Sequence, residues 1–469
     1  MKKGLLLFVS LALAVVACSN NSQSNKSSSS KEPVDPSYKE TTLKVESSYD
    51  GEEEREYELT FAYKDSMFAG KTSEFNNDLA MLSYGMSVAT EEKEMLVKFN
   101  KDLGFTNTEY ASEYDEKPKV KGVGYGFATK YVGDYNLVAV AVRGFNYRVQ
   151  WVDNFNVGTE GDHVGFSESA DLVIEALNTY VGKIKNSKPT KLWIAGYSRG
   201  GAIANVMSSK ILTDTEAKFN RDNMYVYTFE APASIDETNA LAYENVHNIN
   251  NEVDLITFIP PQTYGLKRCG VDYPIYDADV STLIKEFDEE IVIPEFVPVE
   301  DLTEEPLDSD AKVRDFIINT VFNKKEDEYT DPSVYANTRE QYVDNYQEGL
   351  SIALGYVFAL KEATRASLLA DLTALGLGAL SIIGDETGVE LMNFFKQYLE
   401  RDGITYNEEE LLSACAILIK GVQNLFLAIL LMYVGDQTKG SITRLIDMHY
   451  PETTYVLLKN AHQKAQTIE

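Results

Sequence analysis

A serine between glycines lies in the segment Gly-Tyr-Ser-Arg-Gly-Gly at residues 196–201. The mostly apolar residues 191–195 before it predict a short buried strand, and a helical pattern follows through Val206. A strand, a sharp Gly-x-Ser-x-Gly turn and a helix hold a serine hydroxyl in a strained position from which it can attack a carbonyl carbon. Glycine suits positions 196 and 200, where a Cβ would meet the neighbouring strand and helix. We therefore predict Ser198 as a nucleophile, with Gly196 and Gly200 forming its turn.

A serine nucleophile needs a histidine base, and the chain has four histidines, at positions 163, 247, 449 and 462. After this kind of serine turn the acid and then the histidine follow in the chain. His163 precedes Ser198, and His247 lies in a predicted strand before the favoured acid. His449, in a loop just before a helix start, is the preferred base, and His462, in the helical tail 455–466, is the alternative.

The acid that would orient the histidine has two candidates, each at the end of a predicted strand. Asp254 follows the strand at 245–250, and Glu230 ends the strand at 224–229. A buried carboxylate on the far imidazole nitrogen fixes the tautomer and stabilises the cation. We prefer Asp254 and keep Glu230 as the rival.

Two backbone N–H groups are expected to face the oxyanion that forms when a serine attacks a carbonyl. The N–H of Arg199 belongs to the first turn of the helix after Ser198, where unpaired N–H groups and the positive end of the helix dipole favour negative charge. The buried strand 137–142 leads into Arg143-Gly144-Phe145, so the N–H of Phe145 is the second candidate.

Composition limits the function classes. Among 469 residues, 43 are Lys or Arg and 73 are Asp or Glu, a net charge of −30 that would repel nucleic acid phosphates, so we exclude nucleic acid as a partner. With 44% hydrophobic residues the chain has ample material for a core. The three cysteines show no zinc-binding spacing, and we expect neither a metal nor any other cofactor.

The first residues are typical of a targeting signal. Lys2 and Lys3 precede a short apolar run, and Val-Val-Ala-Cys at 15–18 resembles the lipobox of bacterial lipoproteins. We expect residues 1–17 to be a lipoprotein signal peptide and Cys18 to carry the acyl anchor that makes the protein extracytoplasmic and attached to the bacterial cell membrane. Residues 18–37, rich in serine, would form a lipidated tether.

Several motifs in order along the chain resemble those of the class 3 lipases, fungal-lipase-like α/β-hydrolases. They lie at 140–144, 151–155, 163–166, 196–201, 228–232 and 250–261, and the likeness returns around His449. The resemblance implies a Ser198–Asp254–His449 triad, oxyanion donors at Phe145 and Arg199, and ester hydrolysis through an acyl-enzyme. Phe145 departs from the usual Ser or Thr, and Glu230 from a common Gly.

The resemblance also implies an α/β-hydrolase sheet with flanking helices. Far more residues separate Asp254 from His449 than a compact core needs, so we expect a large helical insertion, or cap, between them. We assign residues 38–275 and 441–469 to the core and residues 276–440 to the insertion. Within it, acidic and Pro-punctuated residues 279–310 predict an extended, solvated excursion, and residues 342–360 and 411–434 predict helices.

The leading hypothesis is a surface-anchored serine esterase or lipase that acts on acylglycerol-like or other ester substrates. One rival is a catalytically inactive surface-binding lipoprotein with the same fold. Another is a serine peptidase or acyltransferase that uses the same triad. The sequence does not specify the acyl chain, the head group or the oligomeric state.

Overall fold

The structure, a computed structural model, describes residues 36–48, 56–114, 121–145, 150–289, 306–322, 336–361, 387–417 and 447–468, with positions 291, 293, 296, 298, 363–365, 367–368 and 444–445 between them. The predicted signal peptide, its Cys18 and residues 18–35 of the predicted tether lie outside these residues. The anchor therefore stays a prediction.

A seven-stranded sheet forms the centre of the molecule. Its strands are β3 Thr106–Tyr110, β4 Tyr125–Val132, β5 Tyr135–Val142, β6 Thr190–Tyr197, β7 Met224–Phe229, β9 Val246–Asn251 and β11 Val271–Ile275. They lie in the order β11-β9-β7-β6-β5-β4-β3. The five strands from β5 to β11 in this order are parallel to one another, and β3 and β4 extend the sheet antiparallel.

The central strands are buried on both faces, which explains their nearly continuous apolar sequences. Because side chains alternate along a strand, Leu137 and Ala139 of β5 join one core cluster while Val138 and Val140 join the other. The same alternation places Trp193 of β6 in the first cluster.

Helices cover both faces of the sheet and connect its parallel strands. The described helices are α1 Asn77–Val88, α2 Lys93–Asp102, α3 Trp151–Asn154, α4 Val164–Gly182, α5 Arg199–Thr213, α6 Val280–Phe287, α7 Asp310–Phe322, α8 Arg339–Tyr342, α9 Glu348–Ala359, α10 Thr387–Asp402 and α11 Pro451–Ile468. Helix α4 joins β5 to β6, α5 joins β6 to β7, and both pack on the second cluster. Helices α1 and α11 pack on the first cluster.

Smaller elements complete the described fold. Strands β1 Lys39–Glu46 and β2 Glu56–Tyr63 pair antiparallel, as do the two-residue strands β8 Ile235–Asp236 and β10 Leu266–Lys267. Single 3₁₀ turns occur at Asp65–Phe68, Ser112–Tyr114, Arg221–Asn223, Leu255–Phe258 and Gln262–Tyr264. The turn at Leu255–Phe258 follows Asp254 directly, and the Asp254 side chain caps it by accepting a hydrogen bond from the Ile256 N–H.

The start of the predicted insertion differs from the sequence prediction. Residues 280–287 form helix α6 rather than an extended, solvated excursion, and the side chains of Val280 and Ile284 are fully buried in the cluster beneath the sheet. Downstream, Asp310 forms a fully buried ion pair with Arg444, with an Nε–Oδ2 distance of 2.8 Å. The prediction was wrong because it relied on the acidic residues and prolines of residues 279–310 and overlooked the apolar face of a short amphipathic helix.

The later insertion is helical where it is described. Helix α8 continues through a π-helical turn, Val343–Gln347, into α9, and the predicted apolar face buries Tyr342, Tyr346, Ala353 and Val357. Side chains of α9, α10 and the helical residues 408–417 form a cluster of their own. Residues 418–443, which hold most of the predicted helix 411–434, lie outside the described residues. No helix within the described part combines the length and the apolar character that crossing a bilayer needs.

Candidate active site

Ser198 lies at the turn between strand β6 and helix α5 with a positive backbone φ of 50° and a ψ of −122°. Positive φ is strained for a residue with a Cβ and is often held at functional sites by the surrounding structure. The two glycines of the turn permit it. A Cβ on Gly196 would collide with the carbonyl of Gly200, and a Cβ on Gly200 would collide with the backbone of residues 142–144 at the end of β5.

The structure brings Ser198, His449 and Asp254 into one line of hydrogen bonds. Ser198 Oγ lies 2.9 Å from His449 Nε2, and His449 Nδ1 lies 2.6 Å from Asp254 Oδ2. Asp254 is completely buried, Ser198 is 8% exposed, and the His449 side chain is 20% exposed. The chain of hydroxyl, imidazole and buried carboxylate can therefore move a proton from the serine while its outer end stays accessible.

The loop that carries His449 is held by hydrogen bonds to its backbone carbonyls. The Tyr197 hydroxyl donates to the His449 carbonyl over 2.7 Å, and Asn251 Nδ2 donates to the Met448 carbonyl over 3.2 Å. The Tyr84 hydroxyl donates to the Pro451 carbonyl at the start of α11. The sequence prediction missed these anchors because nothing in their local sequence relates them to carbonyls that lie 197, 252 and 367 residues away along the chain. The place of Tyr197 inside the serine motif was the only local signal.

The other three histidines lie away from Ser198. His163 caps helix α4 by accepting the Phe166 N–H at Nδ1, and burial lowers its pKa to about 3. His247 is buried among aromatic rings with its Nε2 on the Thr72 carbonyl, and burial lowers its pKa as well. His462, the alternative base, lies on α11 beside Asp78 of α1, 3.4 Å from its carboxylate.

Glu230, the rival acid, lies next to Asp254 rather than on the imidazole. It is completely buried and also has a positive φ, 46°. Its carboxyl group accepts the Asn251 N–H over 2.8 Å and the Thr454 hydroxyl over 3.0 Å, and it is within hydrogen-bonding contact of Asp254. Burial first, and then the charge of Asp254, raise the pKa of Glu230 well above its usual range.

The two predicted oxyanion donors belong to adjacent segments. A Cβ on Gly144 would collide with the Tyr197 carbonyl, so the loop after β5 lies directly against the serine turn. The ring of Phe145 stacks on Tyr197 with centroids 4.8 Å apart, and Arg143 Nε donates to the Phe145 carbonyl over 2.7 Å. These two contacts hold the loop. They take the role that the hydroxyl of a Ser or Thr at position 145 would have. Arg143 was not singled out by the sequence.

The Arg199 guanidinium is buried and hydrogen-bonded to other side chains, so only the backbone N–H of Arg199 is a candidate oxyanion donor. The guanidinium is 1% exposed and donates to Asn154 Oδ1 and Ser169 Oγ over 2.9 and 3.0 Å. It also lies 3.6 Å from the buried carboxylate of Asp153. Burial raises the pKa of Asp153 to about 6, although the guanidinium opposes the shift.

The insertion is attached to the loop at 155–162, which follows α3. The Arg339 guanidinium donates to the carbonyls of Val157, Gly158 and Gly161, and Gln347 Oε1 accepts the N–H groups of Val157 and Gly158. The Tyr342 hydroxyl donates to the Phe155 carbonyl over 3.0 Å. Side chains of the insertion thus hold the chain segment that continues from the candidate oxyanion loop.

The described cysteines are buried, and the described acidic side chains form no metal-binding group. Cys269 and Cys415 are both buried as free thiols, and burial raises the pKa of each to about 12. Within the described ranges, no group of three or more His, Cys, Asp or Glu side chains is arranged to hold a metal ion.

Comparisons with known proteins relate this site to lipases. Residues 139–264 match the family model described as lipase (class 3). No curated protein matches the chain. Solved structures similar to it include a fungal lipase–inhibitor complex (16% identity, 44% of this chain and 83% of the other, TM-score 0.34), lipase II from Rhizopus niveus (17%, 42% and 80%, 0.33) and a triacylglycerol lipase whose catalytic centre is a serine protease triad (17%, 44% and 83%, 0.36).

The matched residues coincide with the centre of the fold. They begin within β5 and extend past Asp254, so they include the serine turn, both oxyanion candidates and both candidate acids. The mostly parallel sheet, with helices on both faces and a serine turn after a central strand, is an α/β-hydrolase-type fold. Residues 139–264 of this α/β-hydrolase chain are thus similar to the class 3 lipases.

Proposed function

We propose that the protein is a serine hydrolase of carboxylic esters, a lipase or esterase that acts through Ser198, His449 and Asp254. The observation that carries this proposal is the continuous hydrogen-bonded line from Ser198 Oγ through both nitrogens of His449 to the buried Asp254. The class 3 lipase similarity of residues 139–264 supports the choice of ester over amide chemistry.

In the proposed reaction His449 Nε2 removes the proton from Ser198 Oγ as that oxygen attacks the ester carbonyl carbon. The carbonyl oxygen becomes an oxyanion, which the N–H groups of Phe145 and Arg199 stabilise. When the C–O bond to the alcohol breaks, His449 returns the proton to the leaving oxygen, and an acyl group remains on Ser198. His449 then deprotonates a water molecule, whose oxygen attacks the acyl carbon. The bond between that carbon and Ser198 Oγ breaks, the carboxylic acid leaves, and His449 returns the proton to Ser198 Oγ. Asp254 holds the imidazole and stabilises its cation throughout.

The proposed substrates are acylglycerol-like lipids. Support comes from the family similarity and from the helical insertion, whose apolar side chains pack together over α9 and α10. Rates measured on acylglycerols of several chain lengths, short aryl esters, phospholipids and peptides would identify the class. Faster turnover of peptides than of esters would contradict the proposal.

A fluorophosphonate probe tests whether Ser198 is reactive, because such probes form a covalent bond with activated serines. We expect the wild-type protein and Ser208→Ala, which changes another buried serine on α5, to be labelled and active. Ser198→Ala should be neither labelled nor active. A folded wild-type protein that resists the probe would instead favour the inactive binding lipoprotein.

We further propose that diacylation of Cys18 attaches the enzyme to the outer face of the bacterial membrane. The lipobox-like residues 15–18 and the serine-rich segment after them support this placement. In cells fed a labelled fatty acid, the wild-type protein should incorporate label and remain with the membrane, and Cys18→Ala should do neither. Equal label in both proteins would contradict the anchor.

A further inference from the structure

Two carboxyl groups meet in the interior beside the candidate triad. Glu230 and Asp254 are both completely buried, and their side chains are within hydrogen-bonding contact. Two completely buried carboxyl groups in hydrogen-bonding contact do not both ionise, so one of the two must carry a proton.

The hydrogen-bond partners indicate which group is protonated. Asp254 accepts from His449 Nδ1 and from the Ile256 N–H. Glu230 accepts the Asn251 N–H on Oε2 and the Thr454 hydroxyl on Oε1. A proton on Glu230 therefore has Asp254 as its remaining acceptor.

The backbone at Glu230 supports a specific role for this side chain. Its φ of 46° is strained for a residue with a Cβ, and glycine would adopt it without that cost. Nonetheless the chain places a long polar side chain there and buries it completely. Backbone strain of this kind persists where the surrounding structure enforces it, and it is concentrated at active sites.

We propose that Glu230 is a protonated positioning residue, which donates a hydrogen bond to Asp254 and so extends the line Ser198–His449–Asp254 by one member. This proposal rests on the proposed function for its kinetic consequences. The donated hydrogen bond holds the Asp254 carboxylate in its orientation toward His449 and keeps the negative charge on Asp254 while the imidazole is protonated.

The surroundings of Glu230 contain few other ionisable groups. Tyr84 on α1 and Tyr197 on β6 face it, and burial raises the pKa of both phenols well above their usual range, so both are neutral. Thr454 on α11 and Asn251 at the end of β9 provide the neutral donors. Among the described residues, the charged group in contact with Glu230 is Asp254, which in turn contacts His449.

Two substitutions distinguish a protonated Glu230, which donates a hydrogen bond to Asp254, from an ionised Glu230. Glu230→Gln is always neutral and still donates through Nε2, and Thr454 can turn its hydroxyl to Tyr197, 3.1 Å away. We expect E230Q to keep kcat within about threefold and to leave the acid limb of the kcat/KM pH profile in place. Glu230→Met fills the space without a donor, so kcat should fall about tenfold or more while KM stays constant.

An ionised Glu230 would give different results. E230Q would then remove a negative charge close to His449, and the acid limb would move down by about one pH unit. That shift, or a wild-type kcat in a folded E230M, would overturn the proposal.

Infrared difference spectra test the protonation without turnover. Wild type minus E230Q should show the C=O stretch of a protonated carboxylic acid, and an ionised carboxylate band in its place would refute the proposal. This measurement remains valid if no ester is hydrolysed. In that case the proposed function fails while the protonation of Glu230 is still decided.

Discussion

The Tyr197 hydroxyl donates a 2.7 Å hydrogen bond to the backbone carbonyl of His449, so the residue before the proposed nucleophile also holds the loop of the proposed base. The same hydroxyl lies 3.1 Å from Thr454 Oγ1, which donates to Glu230. A closed ring of contacts thus runs from Tyr197 through Thr454, Glu230, Asp254 and His449 back to Tyr197. The ring explains how groups from four separate parts of the chain keep a common geometry.

Tyr197→Phe should lower kcat by about tenfold with little change in KM, because the His449 loop loses a buried hydrogen bond worth about 1 kcal/mol and its alignment. Tyr84→Phe is the matched control, since it removes a similar phenol-to-carbonyl bond at Pro451, farther from the imidazole. Steady-state kinetics and thermal unfolding of both variants check this. Equal losses of kcat in the two variants would show that only general stability matters.

Asp254→Asn should lower kcat by about 10⁴-fold, because the amide favours the wrong imidazole tautomer and cannot stabilise the cation. Asp272→Asn, at a half-exposed aspartate on β11 that pairs with Arg268, should leave the rate unchanged. Rates are to be measured on the best ester of the substrate panel. A near-normal rate for Asp254→Asn would contradict the role of Asp254 as the triad acid.

Arg143→Met should lower kcat about tenfold, because the Phe145 carbonyl loses the guanidinium that fixes the proposed oxyanion loop. The Arg143 guanidinium also lies 5.0 Å from the centre of the Tyr114 ring. Arg221→Met is a suitable control, since Arg221 lies 4.9 Å from the Tyr243 ring and has no part in the loop. If both variants keep full activity, another contact must hold the loop.

Gly196→Ala should prevent correct folding of the serine turn, because the new Cβ would collide with the carbonyl of Gly200. Gly182→Ala at the end of α4 adds the same methyl group in open space, and we expect a change in stability of no more than about 1 kcal/mol. Soluble yield, Tm and fluorophosphonate labelling distinguish the two. A stable, labelled Gly196→Ala protein would show that the turn can adjust.

Glu452→Gln should flatten the pH dependence of stability between about pH 4.5 and 7. Burial raises the pKa of Glu452 from 4.5 to about 7, while its Oε1 accepts the Ser48 N–H. In that window the unfolded chain releases the proton and the folded protein retains it, so the free energy of unfolding falls as pH rises, by on the order of 3 kcal/mol. Urea unfolding across this range measures the slope. An equal slope in both proteins would assign the effect to other groups.

The sequence predicted the parts of the fold that depend on local pattern. The strand, turn and helix around Ser198 follow from an apolar run, two glycines and a helical repeat, and the structure has β6 and α5 there. The α/β-hydrolase fold inferred from the ordered motifs is confirmed by the parallel sheet and its helices.

The sequence favoured Asp254 and kept Glu230 as the rival acid, because both residues follow neighbouring parallel strands that end at the same edge of the sheet. The three-dimensional arrangement places His449 Nδ1 on Asp254, whereas the carboxyl group of Glu230 accepts from Asn251 and Thr454 next to Asp254. For α6, the expectation of a solvated segment was wrong, since local charge and proline content outweighed two apolar side chains that tertiary packing buries. Tertiary contacts of this kind have no local signature.

The buried Arg444–Asp310 ion pair connects the beginning of the insertion to the residues that lead into the His449 loop. A growing chain that has been made only as far as α7 already contains the proposed hydroxyl and the proposed carboxylate, but it has no imidazole to join them. Hydrolytic capacity would therefore arise in the last stage of folding, when α11 packs under the sheet and Arg444 reaches its partner.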